Sequence, residues 1–269
     1  MRAALLRILR AARLIGCADK VVAWWAALQS RRANDAYRRA HPQRAFPDPR
    51  HAFEVAGHAS LESFDRSGAV HAKTIADLLR EGDLPASPRI LEWGCGPGRI
   101  LAHLAPALSD PGATLHGCDP DARSIEFAQR AYPAIAFQRI APAPPTTYGP
   151  ARFDAIYGVS IFTHLDEASA KAWAGEIARL CAPGGCVLVT SHGASAAERL
   201  ASAEKRAFDS GRYVVLRGAR VGSRTYASYF SEAAGRRLFE PFFAELAFRD
   251  AAAADLGQDI WLLRRPRGA

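Results

Sequence analysis

Lysine is scarce in this chain. It occurs only at 20, 73, 171 and 205, so arginine carries nearly all the positive charge behind a formal net charge of +8. A basic balance invites a nucleic-acid partner. Here the basic residues are dispersed except at the two ends, and arginine beside abundant alanine fits a GC-rich coding bias equally, so nucleic acid is argued against. Cysteines at 17, 95, 118, 181 and 186 form no CxxC pair and no even framework. That speaks against a disulfide scaffold and for a reduced, cytoplasmic compartment. No stretch is repeated or of low complexity. Residues 1–30 lack a signal-peptide cleavage pattern, and Arg7, Arg10, Arg13, Asp19 and Lys20 interrupt every window that could cross a membrane.

What is present centres on Ile90-Leu91-Glu92-Trp93-Gly94-Cys95-Gly96-Pro97-Gly98-Arg99. An apolar run with β character reaches an acid, then glycines on alternate positions, then helix-forming sequence. Strand, tight turn and helix start make a nucleotide-type cradle. A dinucleotide fingerprint places its third glycine three positions after the second, which here is Arg99. Downstream, Thr114–Asp119 reads as a short strand ending in aspartate, a carboxylate suited to both hydroxyls of a ribose. Pro120-Asp121 then turns into a helix, for which Asp121 can serve as the cap. Ala136–Ile140 reads as a third strand, Phe153–Gly158 as a fourth, and Cys186–Ser191 as a fifth after a helix and a Pro183-Gly184-Gly185 turn.

Glu92-x-Gly94-x-Gly96-x-Gly98 resembles motif I of the class I S-adenosylmethionine (SAM) dependent methyltransferases, and the later elements resemble that family in order. The resemblance implies an α/β, Rossmann-like fold: a mostly parallel seven-stranded sheet with a C-terminal antiparallel hairpin strand. It divides the chain into a basic amphipathic helical arm (1–45) and a methyltransferase domain (46–269). The SAM-binding half is 89–192, and an insertion toward the acceptor side covers 193–235. It also implies SAM as cofactor, held by Glu92, Gly94, Cys95, Gly96, Pro97 and Gly98, by Asp119 and Pro120, and by Gly158, Val159 and Ser160 after the fourth strand. No metal is implied. Where the family often has a polar residue after the third strand, near adenine, this chain has Ala141-Pro142-Ala143-Pro144-Pro145, so backbone groups of Ile140 and Ala141 are the expected substitute. Phe64-Asp65-Arg66-Ser67-Gly68 falls where a subset of the family has Tyr-x-x-Ser-Gly, without the tyrosine hydroxyl.

Gly158-Val159-Ser160 is unlike the Asn- or Asp-Pro-Pro-Tyr motif of enzymes that methylate exocyclic amines, which counts against an amino-methylase of nucleic acid. His164 follows at the expected methyl end. A histidine titrates near neutrality and could take a hydroxyl proton, or it could simply support the loop before the Asp166 helix. Arg220, Arg224, Tyr226, Tyr229 and Phe230 suit a sugar or anionic acceptor, and equally a packed lid. The resulting expectation is methyl transfer to a small-molecule or glycan acceptor at oxygen. Its alternatives are an RNA- or protein-directed methyltransferase and a SAM-binding protein without transfer.

In the arm, Leu5, Ile8, Leu9, Ala12 and Ile15 share one helical face with Arg2, Arg7, Arg10 and Arg13 opposite. Val22, Trp24, Trp25 and Leu28 continue the apolar character. Such a helix either docks on its own chain or on a second subunit, or it lies peripherally on an anionic membrane through residues 1–30. Residues 31–44 read as a solvated connector, and Phe46–Pro49 as extended.

Overall fold

The computed structural model describes residues 8–108, 110, 112–216, 220–253 and 255–266. Of the residues named above, Arg2, Leu5 and Arg7 lie outside that set, as do 217–219 within the insertion. A seven-stranded sheet runs in the order β3 (Ala136–Arg139), β2 (Thr114–Asp119), β1 (Arg89–Trp93), β4 (Phe153–Gly158), β5 (Cys181–Ser191), β9 (Asp259–Arg264) and β8 (Glu245–Arg249). The pairs from β3 through β5 are parallel, and β9 runs antiparallel to both β5 and β8. Strand order reverses at β1, between β2 and β4. In an open α/β sheet this is where a crevice forms beyond the carboxyl ends of the strands.

Strand residues alternate between two cores, as a period of two requires. Ile90, Ala155, Tyr157 and Leu188 pack with Ile75, Leu79, Leu101 and Ile125. Leu91, Trp93, Ile156 and Val187 pack on the other side with Trp173, Ile177, Phe239 and Trp261. The first core is covered by α3 (Leu61–Arg80), α4 (Leu101–Leu108) and α5 (Ala122–Ala131); the second by α6 (Glu167–Leu180) and α9 (Glu232–Phe239). Side-chain caps start four of these helices: Ser60 accepts from the Ser63 amide, Asp121 from Ser124, Asp166 from Ser169 and Ser231 from Ala234.

Three segments differ from the sequence expectation. Helix α1 (Ile15–Ala40) runs straight through the expected connector. Buried Asn34 donates to Ala59 O (2.8 Å) and accepts from the Leu61 amide (2.9 Å), while the Tyr37 hydroxyl donates to Asp65 (2.7 Å). Before it, the apolar stripe from Ile8 does not continue, because Arg13 takes φ 58°. Helix α2 (Pro49–Ala56) begins already at the last residue of the stretch expected to be extended: Asp48 caps it, Pro49 occupies its first turn and Gly57 ends it at φ 79°. In β5, pairing with β4 jumps from Cys181 to Cys186, so Pro183-Gly184-Gly185 bulges within the strand rather than preceding it. Residues 194–208 form two short helices, α7 (Ala194–Ala197) and α8 (Ser202–Asp209), followed by a small hairpin of β6 (Val214–Leu216) and β7 (Ala227–Tyr229).

Candidate active site

A cavity of about 1020 Å³ opens at the reversal of strand order, at the upper end of the ~300–1,000 Å³ usual for ligand sites. Its floor is the turn after β1. Gly94 and Gly98 take φ 75° and 80°, a region that L side chains avoid. A Cβ on Gly94 would stand 2.1 Å from Ile161 Cδ1, and one on Gly98 would press on Tyr132 and Phe137 at 3.2–3.3 Å. Gly94 thus lets Ile161 close on the turn, while Gly98 lets the α5–β3 layer pack close. The turn's amides face β2 rather than the cavity. Gly94 and Cys95 donate to Cys118 O (2.8 and 3.1 Å), and Gly96 donates to Asp119 Oδ2 (2.9 Å).

Asp119 therefore holds the turn, and its Oδ1 also accepts from the Asp121 amide (2.8 Å). Each carboxylate oxygen keeps acceptor capacity for a ligand. Burial raises its pKa, against the two amides that favour the anion.

Glu92 is buried beneath the floor and stands opposite Tyr157 in the β1–β4 register. The Tyr157 hydroxyl donates to its Oε2 at 3.0 Å. Burial pushes Glu92 up to about 8, although Tyr157, Arg99 and the Leu101 amide all favour its anion. Because this value lies above the ordinary carboxylate range, the folded protein holds a proton that the unfolded chain has lost. The stability that proton represents is complete below about pH 4.3 and is lost as pH rises toward 8, at ~1.4 kcal/mol per pH unit. We expect Glu92→Gln to remove that slope. In thermal melts of the ligand-free protein, the variant should gain on the wild type progressively between pH 5 and 8.

The far wall is built by Ser160, at φ 63°. Its amide donates to Thr190 Oγ1 (2.7 Å), Thr190 Oγ1 donates to Gln258 Oε1 (2.6 Å) and Gln258 Nε2 donates to Ser160 Oγ (2.9 Å). This ring of bonds joins β4, β5 and the start of β9 under the cavity. His164 stands beside it with Nδ1 2.7 Å from Tyr226 O. A carbonyl only accepts, so Nδ1 carries the proton and Nε2 keeps its basic lone pair. Burial lowers the His164 pKa, with Arg224 adding to the effect. His192 has the same arrangement, Nδ1 on Ser228 O at 3.2 Å. Burial, and after it the charge of His164, bring it down to about 4.

Of the residues singled out in the sequence, Glu92, Gly94, Cys95, Gly96, Asp119, Val159, Ser160 and His164 line the cavity. Pro97, Gly98, Pro120, Ile140, Ala141 and Gly158 are not in its wall. Ile140 is buried in the core, and its amide already bonds Asp119 O. Gly158 lies against Trp93, where a Cβ would meet the ring at 2.9 Å. The insertion divides its labour: Tyr226 and Phe230 are buried, with Phe230 stacked on Tyr213, whereas Arg220 and Arg224 reach the cavity.

Several wall residues were not singled out in the sequence. α2 contributes His51, Glu54 and Val55, with His51 Nε2 2.8 Å from Ser124 Oγ. α1 contributes Gly16, Asp19 and Lys20. Asp19 pairs with Arg224, whose guanidinium lies 4.5 Å over the Phe53 ring, so arm and insertion meet across the cavity. An Asp-Pro pair followed by Gly57 was the available signal for α2; nothing local marks Asp19.

The sheet order and the cavity at its reversal are those of the Rossmann-like class I SAM-dependent methyltransferase fold. The cofactor of that class is SAM. Residues 91–187 match the family model described as a methyltransferase domain. Trans-aconitate 2-methyltransferase of Methylobacterium nodulans is 29% identical over 119 residues, which are 42% of this chain and 42% of that one, so the likeness spans less than half of that relative. Among solved structures, DesVI of Streptomyces venezuelae superposes with a TM-score of 0.56 at 17% identity, over 77% of this chain and 95% of its own. CalS10 of Micromonospora echinaspora, an amino pentose methyltransferase, gives 0.56 at 17% identity over 76% and 95%. Human N-acetylserotonin methyltransferase in complex with SAM gives 0.54 at 14% identity over 81% of this chain and 56% of that chain. These structures share the fold. No described helix is long and apolar enough to cross a membrane.

Proposed function

We propose that this chain transfers the methyl group of SAM to an oxygen of a small-molecule or glycan acceptor. The observation that carries the reading is His164: a neutral imidazole fixed by the Tyr226 carbonyl, with a basic Nε2 beside the cavity. SAM, when bound, supplies a methyl group already activated by a positive sulfur. The residues fit such a ligand: Asp119 retains acceptor capacity for ribose hydroxyls, and Glu92 offers an ionisable carboxyl group at the turn.

The protein's own part is mostly alignment, for which holding two reactants at ~3–3.5 Å supplies roughly 7–11 kcal/mol. The Ser160–Thr190–Gln258 ring fixes the wall where the reactants meet. His164 Nε2 takes the acceptor's hydroxyl proton as the oxygen–carbon bond forms and the carbon–sulfur bond breaks. On the acceptor side, Lys20 and Arg220 line the cavity outside any ion pair among the described residues, which suits an acceptor bearing an acid or phosphate. The named activities of the relatives, on trans-aconitate and on an amino pentose, point toward small molecules as well.

Incubating the full chain with methyl-labelled SAM and a cell extract, then fractionating, tests this. Label in alkali-stable small molecules or glycans is the expected outcome. Label in RNA or protein would overturn the acceptor class, and binding without transfer would leave a SAM-binding protein. Glu92 makes a further expectation: a ligand ammonium favours its anion, so SAM affinity should rise with pH up to about 8, by up to about tenfold per unit. Calorimetry across pH 6–9 reads this directly, and a flat profile would remove Glu92 from the ammonium.

A further inference from the structure

Helix α1 is mounted with its apolar face outward. Beyond buried Ile15, the face on the protein is small or polar: Ala23 packs on Phe53 and Ala59, Asn34 bridges Ala59 and Leu61, and Asp19 pairs with Arg224. Val21, Trp24, Trp25 and Leu28 are 66%, 55%, 54% and 48% exposed. At ~100° per residue these four fall within an arc of roughly 100°. A docked helix normally buries such residues, and a grouped patch of this kind marks an interaction site.

Charge decides what covers it. Arg31, Arg32 and Arg39 lie exposed on the same side of the helix, one to three turns further along, and none is in an ion pair among the described residues. Asp35 is the single acid within that stretch. A second copy of the chain would bring arginines and almost no acid to meet them. The four apolar side chains also expose only roughly 400–500 Å², short of the ~800 Å² per partner in a stable dimer. A lipid surface asks for less: an apolar arc sunk to headgroup depth, tryptophans at the interface and arginines among anionic headgroups.

We propose that the outward face of α1, centred on Trp24 and Trp25, seats the protein on an anionic membrane surface. The opposite side of the same helix carries Asp19 in the cavity wall. The cavity therefore lies about one helix diameter, ~10–12 Å, from the lipid. Seating does not depend on the transfer reaction.

The protein contains its own probe. Of its five tryptophans, Trp93, Trp173 and Trp261 are buried, so a change in emission on adding vesicles reports Trp24 and Trp25. With vesicles of phosphatidylcholine plus phosphatidylglycerol, the full chain should co-sediment and its emission should shift to the blue. Phosphatidylcholine alone should bind at least about tenfold more weakly, and 0.5 M salt should weaken the anionic case similarly. Trp24→Ser/Trp25→Ser should abolish co-sedimentation with the anionic vesicles at an unchanged melting temperature, since both rings are exposed. Arg31→Gln/Arg32→Gln should cut binding to anionic vesicles while leaving both tryptophans in place. The proposal fails if the wild type ignores anionic vesicles or binds neutral ones equally. It also fails if sedimentation velocity reveals a dimer that the tryptophan variant dissolves, which would assign the face to a second copy.

Discussion

His164→Ala is expected to lower kcat by about 10²–10⁴-fold, the usual worth of a positioned general base, while SAM affinity stays within a few-fold. The division between rate and binding follows from position. His164 lies after β4 on the acceptor side, away from Asp119 at the end of β2. Its Nδ1 is occupied by Tyr226 O, so only Nε2 can receive a proton. Burial lowers its pKa below the ordinary histidine value. A base must be unprotonated to act, so the rate should rise with pH along a limb centred below 6.5 and be level from pH 7 upward. The same side chain also ties β7 to the loop after β4, and losing that bond should lower the melting temperature modestly. Single-turnover rates per folded molecule, measured beside melts on the one variant, separate the roles. Full rate with a lowered melting temperature would leave His164 a support and alignment the whole mechanism.

Asp119→Ala should weaken SAM by about 1.5–3 kcal/mol, or roughly ten- to a hundredfold, through lost charge-assisted hydrogen bonds to the ribose. The aspartate has a second duty that could imitate this. Its two oxygens accept from the Gly96 and Asp121 amides, so alanine also frees the turn that floors the cavity. S-adenosylhomocysteine shares the ribose and should lose affinity in parallel. Methionine, which lacks the ribose, should bind no worse if the loss is local to Asp119. Unchanged SAM affinity by calorimetry would remove Asp119 from the site.

The parts legible in the sequence are those whose chemistry is local. The β1 run, the alternate glycines and the aspartate closing β2 declare themselves because turn geometry demands glycine and strands end where polarity returns. Helix caps at Asp121 and Asp166 are equally local. The arm was harder. Arg31 to Arg44 looks solvated, and only tertiary contact reveals that Asn34 is clamped between Ala59 and Leu61. Pro49 was ambiguous, since proline disfavours helix before it and favours helix after it.

Within the site, the sequence offers Glu92 but not Tyr157 opposite it, because that pairing depends on β1–β4 register. It offers His164 but not its tautomer, which is set by a carbonyl 62 residues away. The arginines and aromatics of the insertion form one group on paper. Packing separates them, taking Tyr226 and Phe230 inward and leaving Arg220 and Arg224 on the wall. Asp19 is only one of the charges that break up the arm until Arg224, 205 residues on, closes against it.

Titration of the full chain with SAM by calorimetry, with NADH as the competing ligand, bears most directly on the central claim that this cavity is a SAM site. Saturable binding of one SAM per chain, weakened in Asp119→Ala and tighter than NADH, is the predicted result. No heat with SAM, or tighter binding of NADH, would contradict it.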